Sequence, residues 1–223
     1  METDWTDTLD YGFTSQVLKP ASSGNGVNWY KAEAAAKTGF AANTDTIGSA
    51  GSYDKASKGI NGYVFMDQLN IANFGGADVN NVKIQFSLSE TPATSGSAAK
   101  YVRLAIVEAS ASGYGTTSLP ALSGTFGATG TVYAAGADTA DAFIPGTGDA
   151  VTTTAIAAAS AASTVTVNVG NLAGKTGSAT MGGAKYYNIY VWFEGQDEDC
   201  KDANAGAELP NFTFSVTGDT VEG

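Results

Sequence analysis

Along most of this chain apolar residues recur at every second position, the period of a β-strand and not of a helix. Val82, Ile84, Phe86 and Leu88 alternate with Lys83, Gln85, Ser87 and Ser89. Val102, Leu104 and Ile106 stand on one side with Arg103 on the other, Val165, Val167 and Val169 repeat the pattern, and Phe212, Phe214 and Val216 close it between Pro210 and Gly218. Tyr63, Phe65, Leu69 and Ile71 form a further strand with Val64 and Met66 on its reverse face. The densest apolar run is different. From Tyr186 to Phe193, Tyr187, Ile189, Val191 and Phe193 share one face while Tyr186, Asn188, Tyr190 and Trp192 share the other, so both faces are mostly apolar. A half-exposed strand would alternate apolar with polar; this one is expected at the centre of its sheet, covered on both sides. Glu194-Gly195 ends it, because the following Gln196 to Asp202 is too charged to continue a buried ladder.

The alternation is longest at the amino terminus. Trp5, Leu9, Tyr11, Phe13 and Val17 fall on one face, and Thr6, Thr8, Asp10, Thr14 and Gln16 on the other. Residues 5–17 in extended form reach roughly 43 Å at ~3.3 Å per residue, enough to run the length of a sheet or to cross into a neighbouring subunit. Such an apolar stripe needs a groove, which marks residues 1–18 as a candidate donor strand and residues 19–223 as a single domain. Between the strands lie turn-forming stretches: Lys19 to Gly26, followed by a return to the packed surface at Val27, Trp29 and Tyr30; Asn73 to Asn81 around Gly75-Gly76; Thr91 to Lys100; and Asn171 to Gly183. Lys31 to Lys37 holds good helix formers over about two turns, and Thr38 to Gly59 reads as a long loop. From Ala109 to Ser163 the pattern thins, with short strands expected at Thr131 to Ala134 and Asp141 to Ile144, and Ala155 to Ala162 open to either a short helix or a small-residue strand. About nine strands, long connections and no alternating helices predict an all-β chain: a two-sheet antiparallel β-sandwich of jelly-roll or Greek-key type with at most short helical turns.

Charge narrows the partners. The formal net charge of −11, from 22 acidic against 11 basic residues, repels nucleic acid and anionic membrane surfaces over most of the molecule. The chain contains no His, which removes Ser-His-Asp and Cys-His machinery, the usual zinc sites and H-E-x-x-H peptidases. A carboxylate pair such as Glu194 with Asp197 would suffice for a glycosidase, but a turn after a central strand is the commoner reason for such residues. No apolar run is long enough to span a bilayer. The start, Met-Glu-Thr-Asp-Trp, has neither a basic region nor an apolar core, so any signal peptide is expected to have been removed.

The candidate chemistry gathers after the central strand. Glu194, Asp197, Glu198, Asp199 and Asp202 offer hard oxygen ligands suited to Ca²⁺ should the loop curl around an ion, although the spacing is not that of an EF-hand; the plainer expectation is a solvated acidic turn. Cys200, the one cysteine, has no intramolecular partner, and crowded carboxylates disfavour its thiolate. Asn211-Phe212-Thr213 matches the glycosylation triplet but lies in a predicted strand. Tyr190 and Trp192 have the chemistry to stack on sugar rings, against the usual role of strand aromatics as core.

The run Tyr190-Val191-Trp192-Phe193-Glu194-Gly195-Gln196-Asp197-Glu198-Asp199-Cys200 resembles the W-x-E-G-x-D-x-x-C stretch of exported TasA/camelysin-like proteins of Gram-positive bacteria. Leu18-Lys19-Pro20-Ala21 through Asn28-Trp29-Tyr30, and Tyr101-Val102-Arg103-Leu104-Ala105-Ile106, are fainter echoes in the same order. The resemblance implies a secreted jelly-roll subunit that builds extracellular matrix fibres or pili by strand exchange between neighbours, with Trp192 to Cys200 as a structural strand and turn. The peptidase activity attached to the camelysin name finds no support in a chain without His. The expectation is therefore a non-enzymatic, extracellular filament subunit whose partners are copies of itself and which needs no cofactor. The alternative is a secreted carbohydrate-binding or adhesive module on the same scaffold, with Ca²⁺ in the acidic loop and a cell-surface glycan as partner.

Overall fold

The computed structural model describes residues 4–11, 18–22, 28–31, 46–49, 59–60, 62–88, 98–109, 132–135, 153–156, 165–195, 197, 199–200, 206–210 and 212–221. Among these the chain is all strand and connection, with no helix. The strands are β1 (Asp4–Tyr11), β2 (Ala21–Ser22), β3 (Asn28–Lys31), β4 (Thr46–Ser49), β5 (Gly59–Ile60), β6 (Val64–Ala72), β7 (Val79–Leu88), β8 (Val102–Ala109), β9 (Val132–Ala135), β10 (Thr153–Ile156), β11 (Val165–Leu172), β12 (Ala184–Phe193) and β13 (Phe212–Thr220).

They form a four-stranded antiparallel sheet in the order β1-β13-β7-β11 and a six-stranded sheet in the order β10-β9-β8-β12-β6-β5, antiparallel except for the β9–β10 pair. A small third sheet, β2-β3-β4, accompanies them. The two large sheets share one apolar core. Ile84, Phe86, Leu88, Phe212, Phe214 and Val216 enter it from the first, and Leu69, Leu104, Ile189, Val191 and Phe193 from the second. Phe86 of β7 meets Tyr133 of β9 edge to face, with ring centroids 4.8 Å apart, so the contact crosses from one sheet to the other.

The alternation read from the sequence is what builds this arrangement. β7 and β13 each bury every second residue and leave Lys83, Gln85, Ser87, Thr213, Ser215 and Thr217 on the open face. β12 behaves differently, as its two apolar faces require: flanked by β8 and β6, it buries every residue from Tyr187 to Phe193. Tyr190 and Trp192 are therefore fully buried as expected, but on the face turned away from the shared core, in a layer with Val64, Arg103 and Ala105.

Thr38 to Gly59 is not one loop: Thr46–Ser49 pairs with β3, and Gly59 pairs with Phe65 at the start of the β5–β6 hairpin. Ile47, isolated in the sequence, gave no period to detect. β10 covers the start of the Ala-rich stretch as a strand, whereas Asp141 to Ile144 and residues 32–37 lie outside the described residues. At the far end of β6, Asn73 ties the connections together. Its amide nitrogen donates to the carbonyls of Ala77, Leu172 and Ala173 at 2.8, 3.2 and 3.2 Å, and its side-chain oxygen accepts from Gly75 N–H at 2.9 Å.

Candidate functional site: the amino-terminal edge strand and the acidic turn

β1 runs antiparallel to β13 through eight consecutive residue pairs, from Asp4 opposite Asp219 to Tyr11 opposite Phe212, without a register shift. Of the stripe singled out in the sequence, Trp5 stands opposite Gly218, Leu9 opposite Phe214 and Tyr11 opposite Phe212; Phe13 and Val17 lie outside the described residues. Among the described residues β1 is an edge strand, joined to its sheet through β13. The opposite edge of the same sheet, β11, is built otherwise. Its pairing with β7 shifts register between Asn168 and Gly170 and again between Gly170 and Leu172, and Gly170 sits at φ +95°, a conformation glycine adopts without strain. Bulges of this kind twist an edge away from further pairing. The β1 side of the sheet carries no such device in its ladder.

The acidic turn departs from the solvated loop expected of it. Glu194 and Asp197 are buried, at 0% and 1% exposure. Arg103, itself fully buried, donates from Nη2 to Asp197 Oδ2 at 2.8 Å and from Nη1 to the carbonyls of Lys100 and Val102 at 3.0 and 3.1 Å. Asp197 Oδ1 accepts the Asp199 N–H at 2.9 Å, closing an Asx-type turn, and the Cys200 N–H donates to the Asp197 carbonyl. Lys100 Nζ pairs with Asp199 Oδ2 at 3.0 Å, half-buried. Trp192 Nε1 donates to Glu194 Oε2 at 3.2 Å. The turn is also pinned through its backbone: Glu194 N–H donates to the Tyr101 carbonyl at 2.7 Å and Gly195 N–H to the Ala21 carbonyl at 2.8 Å.

The sequence misled here because acidic density ordinarily means exposure. A carboxylate is tolerated in the interior when hydrogen bonds or an opposite charge compensate it, and for Asp197 that charge comes from a strand 94 residues away. One sign of it was legible: Arg103 is a charge set within the otherwise apolar run from Tyr101 to Val107. The described carboxylates are thus engaged by the protein's own Arg103, Lys100 and Trp192. Among the described residues no three metal-ligating groups come together; Glu198, Asp202 and Asn211 lie outside them.

Three tyrosines are perturbed. Burial pushes the Tyr101 hydroxyl up to about 12, with negative charge at Cys200, Asp197 and Asp199 adding to the effect. Tyr187 is likewise raised to about 12, by burial first and Glu108 second. Tyr190 is driven higher still by burial, opposed in part by its hydrogen bond with Asn188 Nδ2 at 3.4 Å. The Tyr101 hydroxyl is buried without a hydrogen-bond partner, while its ring packs edge-on against Phe193 at 5.0 Å. These are held, uncharged side chains of a packed structure.

A second surface feature lies at the Asn73 end. Phe74, Met181 and Val221 are the large apolar side chains left exposed among the described residues, Phe74 at 65%. Hydrogen bonds bring their segments together: Gly182 N–H donates to the Asn73 carbonyl and Val221 N–H to the Asp78 carbonyl. Comparison with protein-family models, characterised proteins and solved structures gives no match to this chain.

Proposed function

We propose that this chain is a non-enzymatic structural subunit of an extracellular filament or matrix fibre, a jelly-roll or Greek-key sandwich that assembles head to tail by donating its amino-terminal strand to the next copy. The observation that carries the reading is β1: a regular strand that, among the described residues, lies at the edge of its sheet with β13 as its one neighbour, on a sheet whose other described edge is bulged. A strand paired on one side only can leave as a unit, exposing along β13 a row of backbone groups and the flank of Phe212, Phe214 and Val216, which an identical strand fills with the same register. Used between copies, the contact is heterologous and propagates instead of closing. Export to the cell surface fits the low cysteine content, and the ion pairs that engage the acidic turn fit a structural role for it.

One observation favours the adhesive alternative. Phe74 stands exposed on a connection fixed by the Asn73 hydrogen bonds, and a rigid, exposed aromatic is the kind of platform on which a sugar ring stacks, with Ca²⁺ at the acidic loop as an accessory. Electron microscopy of the purified chain, beside a glycan array, separates the two. Filaments that disappear when residues 1–17 are deleted support strand donation. A chain that sediments as a strict monomer at every concentration and binds a glycan through Phe74 refutes it.

A further inference from the structure

The two large sheets are joined at one end of the molecule. Ala72 of β6 pairs with Ala184 of β12, and Val79 of β7 with Leu172 of β11, so the connections 73–78 and 173–183 both cross between the sheets there. Hydrogen bonds stitch the crossings together: Lys175 N–H donates to the Gly75 carbonyl and Gly182 N–H to the Asn73 carbonyl, both at 2.8 Å. The other end carries the acidic turn, where Trp192 pairs with Val64 and Phe193 with Val102. Leu88 and Phe212 mark that end of the four-stranded sheet, and Tyr11 stands opposite Phe212, so β1 leaves its neighbour at the acidic-turn end. The chain is rooted again at the same end. Lys19 N–H donates to the Gly62 carbonyl at 3.0 Å, Ala21 bridges to Glu194, and the Ala21 carbonyl accepts the Gly195 N–H at 2.8 Å.

Chain length then limits where a donor of the same register stands. Between Tyr11 and Leu18 the chain reaches at most roughly 24 Å at ~3.4 Å per residue. The 10 residues of β7 or of β12 run roughly 33 Å at ~3.3 Å each. Stacked end to end along the strands, in either order, the donor's Leu18 would lie at least a strand length from the place its Tyr11 must occupy, which is out of reach. Two placements stay within reach. Copies with their acidic-turn ends face to face exchange β1 reciprocally and close as a pair; copies side by side, with like ends level, propagate. Charge decides between them. Glu194, Asp197, Glu198, Asp199 and Asp202 outnumber Lys100, Arg103 and Lys201 at that end, so pressing two such ends together opposes like charges, whereas side by side they stay in solvent. We infer that the second copy docks side by side: the β13 edge of one copy takes the β1 of a neighbour standing level with it, and the strands lie across the filament axis. The inference rests on the strand-donation reading, in which head to tail then means edge to edge. It places every acidic turn along one side of the filament and every Phe74, at the stitched end, along the other.

X-ray diffraction from aligned filaments of the full-length chain reads the strand direction. Strands across the axis put the inter-strand reflection, at ~4.7–4.9 Å, on the meridian; strands along the axis put it on the equator. Phe74→Cys in a Cys200→Ser background supplies a second reading. Side by side, its reaction with a maleimide should be as fast in filaments as in the unassembled chain, whereas end-to-end junctions would cover position 74 and slow it. Donation itself is tested apart from geometry, by adding a synthetic peptide of residues 1–17, which should shorten the filaments by occupying β13. A meridional reflection with unslowed labelling supports the side-by-side contact. An equatorial reflection, or slowed labelling, in filaments that the peptide shortens overturns it and leaves strand donation standing. Closed dimers in sedimentation that the peptide dissociates also overturn it, in favour of face-to-face exchange. A strict monomer, or filaments indifferent to the peptide, refutes strand donation and this inference with it.

Discussion

Replacing Arg103 by Met should destabilise the protein by about 3–5 kcal/mol, the cost of removing one member of a buried ion pair and leaving the other charge uncompensated. The structure gives the reason in detail. The Arg103 and Asp197 side chains are 0% and 2% exposed, their atoms are 2.8 Å apart, and Arg103 also satisfies two backbone carbonyls. Asp197→Asn keeps the shape and the acceptor for the Asp199 N–H, so it should cost somewhat less, about 2–4 kcal/mol. Joining Arg103→Met with Asp197→Leu should cost clearly less than the sum, because neither charge then remains buried alone; coupling of roughly 1–3 kcal/mol is expected for residues in direct contact. Lys100→Met, which breaks the half-buried pair with Asp199, supplies the contrast and should cost no more than about 1 kcal/mol. Urea unfolding of these variants and of Asp197→Leu alone, followed by tryptophan fluorescence and compared at constant m-value, measures each number. Added salt should weaken the Lys100 contribution and leave the Arg103 contribution nearly unchanged. If Asp197→Asn unfolds within about 0.5 kcal/mol of the parent, the turn is solvated and the buried network is refuted.

Tyr101→Phe should be neutral or stabilising by up to about 1 kcal/mol, because the hydroxyl it removes is buried and unpaired; a loss of stability in thermal melts would reveal a partner for it. Stability should be insensitive to these tyrosines below pH 10, their ordinary value, and should fall as pH rises toward about 12. The fold favours the protonated phenols of Tyr101 and Tyr187, so their contribution is lost once the folded groups ionise, and Tyr101→Phe should make the decline shallower in melts across that window. Trp192→Ala should cost about 3–5 kcal/mol, and Trp192→Phe about 1–3 kcal/mol by stripping a donor from buried Glu194; urea midpoints equal to the parent's would move Trp192 out of the packed layer. Gly174→Ala and Gly182→Ala should each destabilise by roughly 2 kcal/mol or more, since a Cβ would run into the backbone at Gly76 and Ala173, while Gly76→Ala, which meets open space, should not.

Much of the β-structure was legible because it obeys a period. Strands such as β7 and β13 announce themselves by burying alternate residues, β8 and β11 by the spacing of their apolar positions, and the central position of β12 follows from apolar residues on both of its faces. The amphipathic start of the chain was readable on the same grounds, and its described part is a strand. What the sequence could not supply was pairing. Strand order, the bulged β11 edge, the placement of Trp5 across from Gly218 and the partner of Asp197 all join residues tens to hundreds of positions apart, and a period within one strand carries no information about which strand lies beside it. The acidic turn shows the consequence most plainly. Its residues alone determined that carboxylates would cluster after β12; only the fold, by bringing Arg103 of β8 against Asp197, decided that Asp197 is interior, because a buried charge is tolerable where an opposite charge has been buried with it.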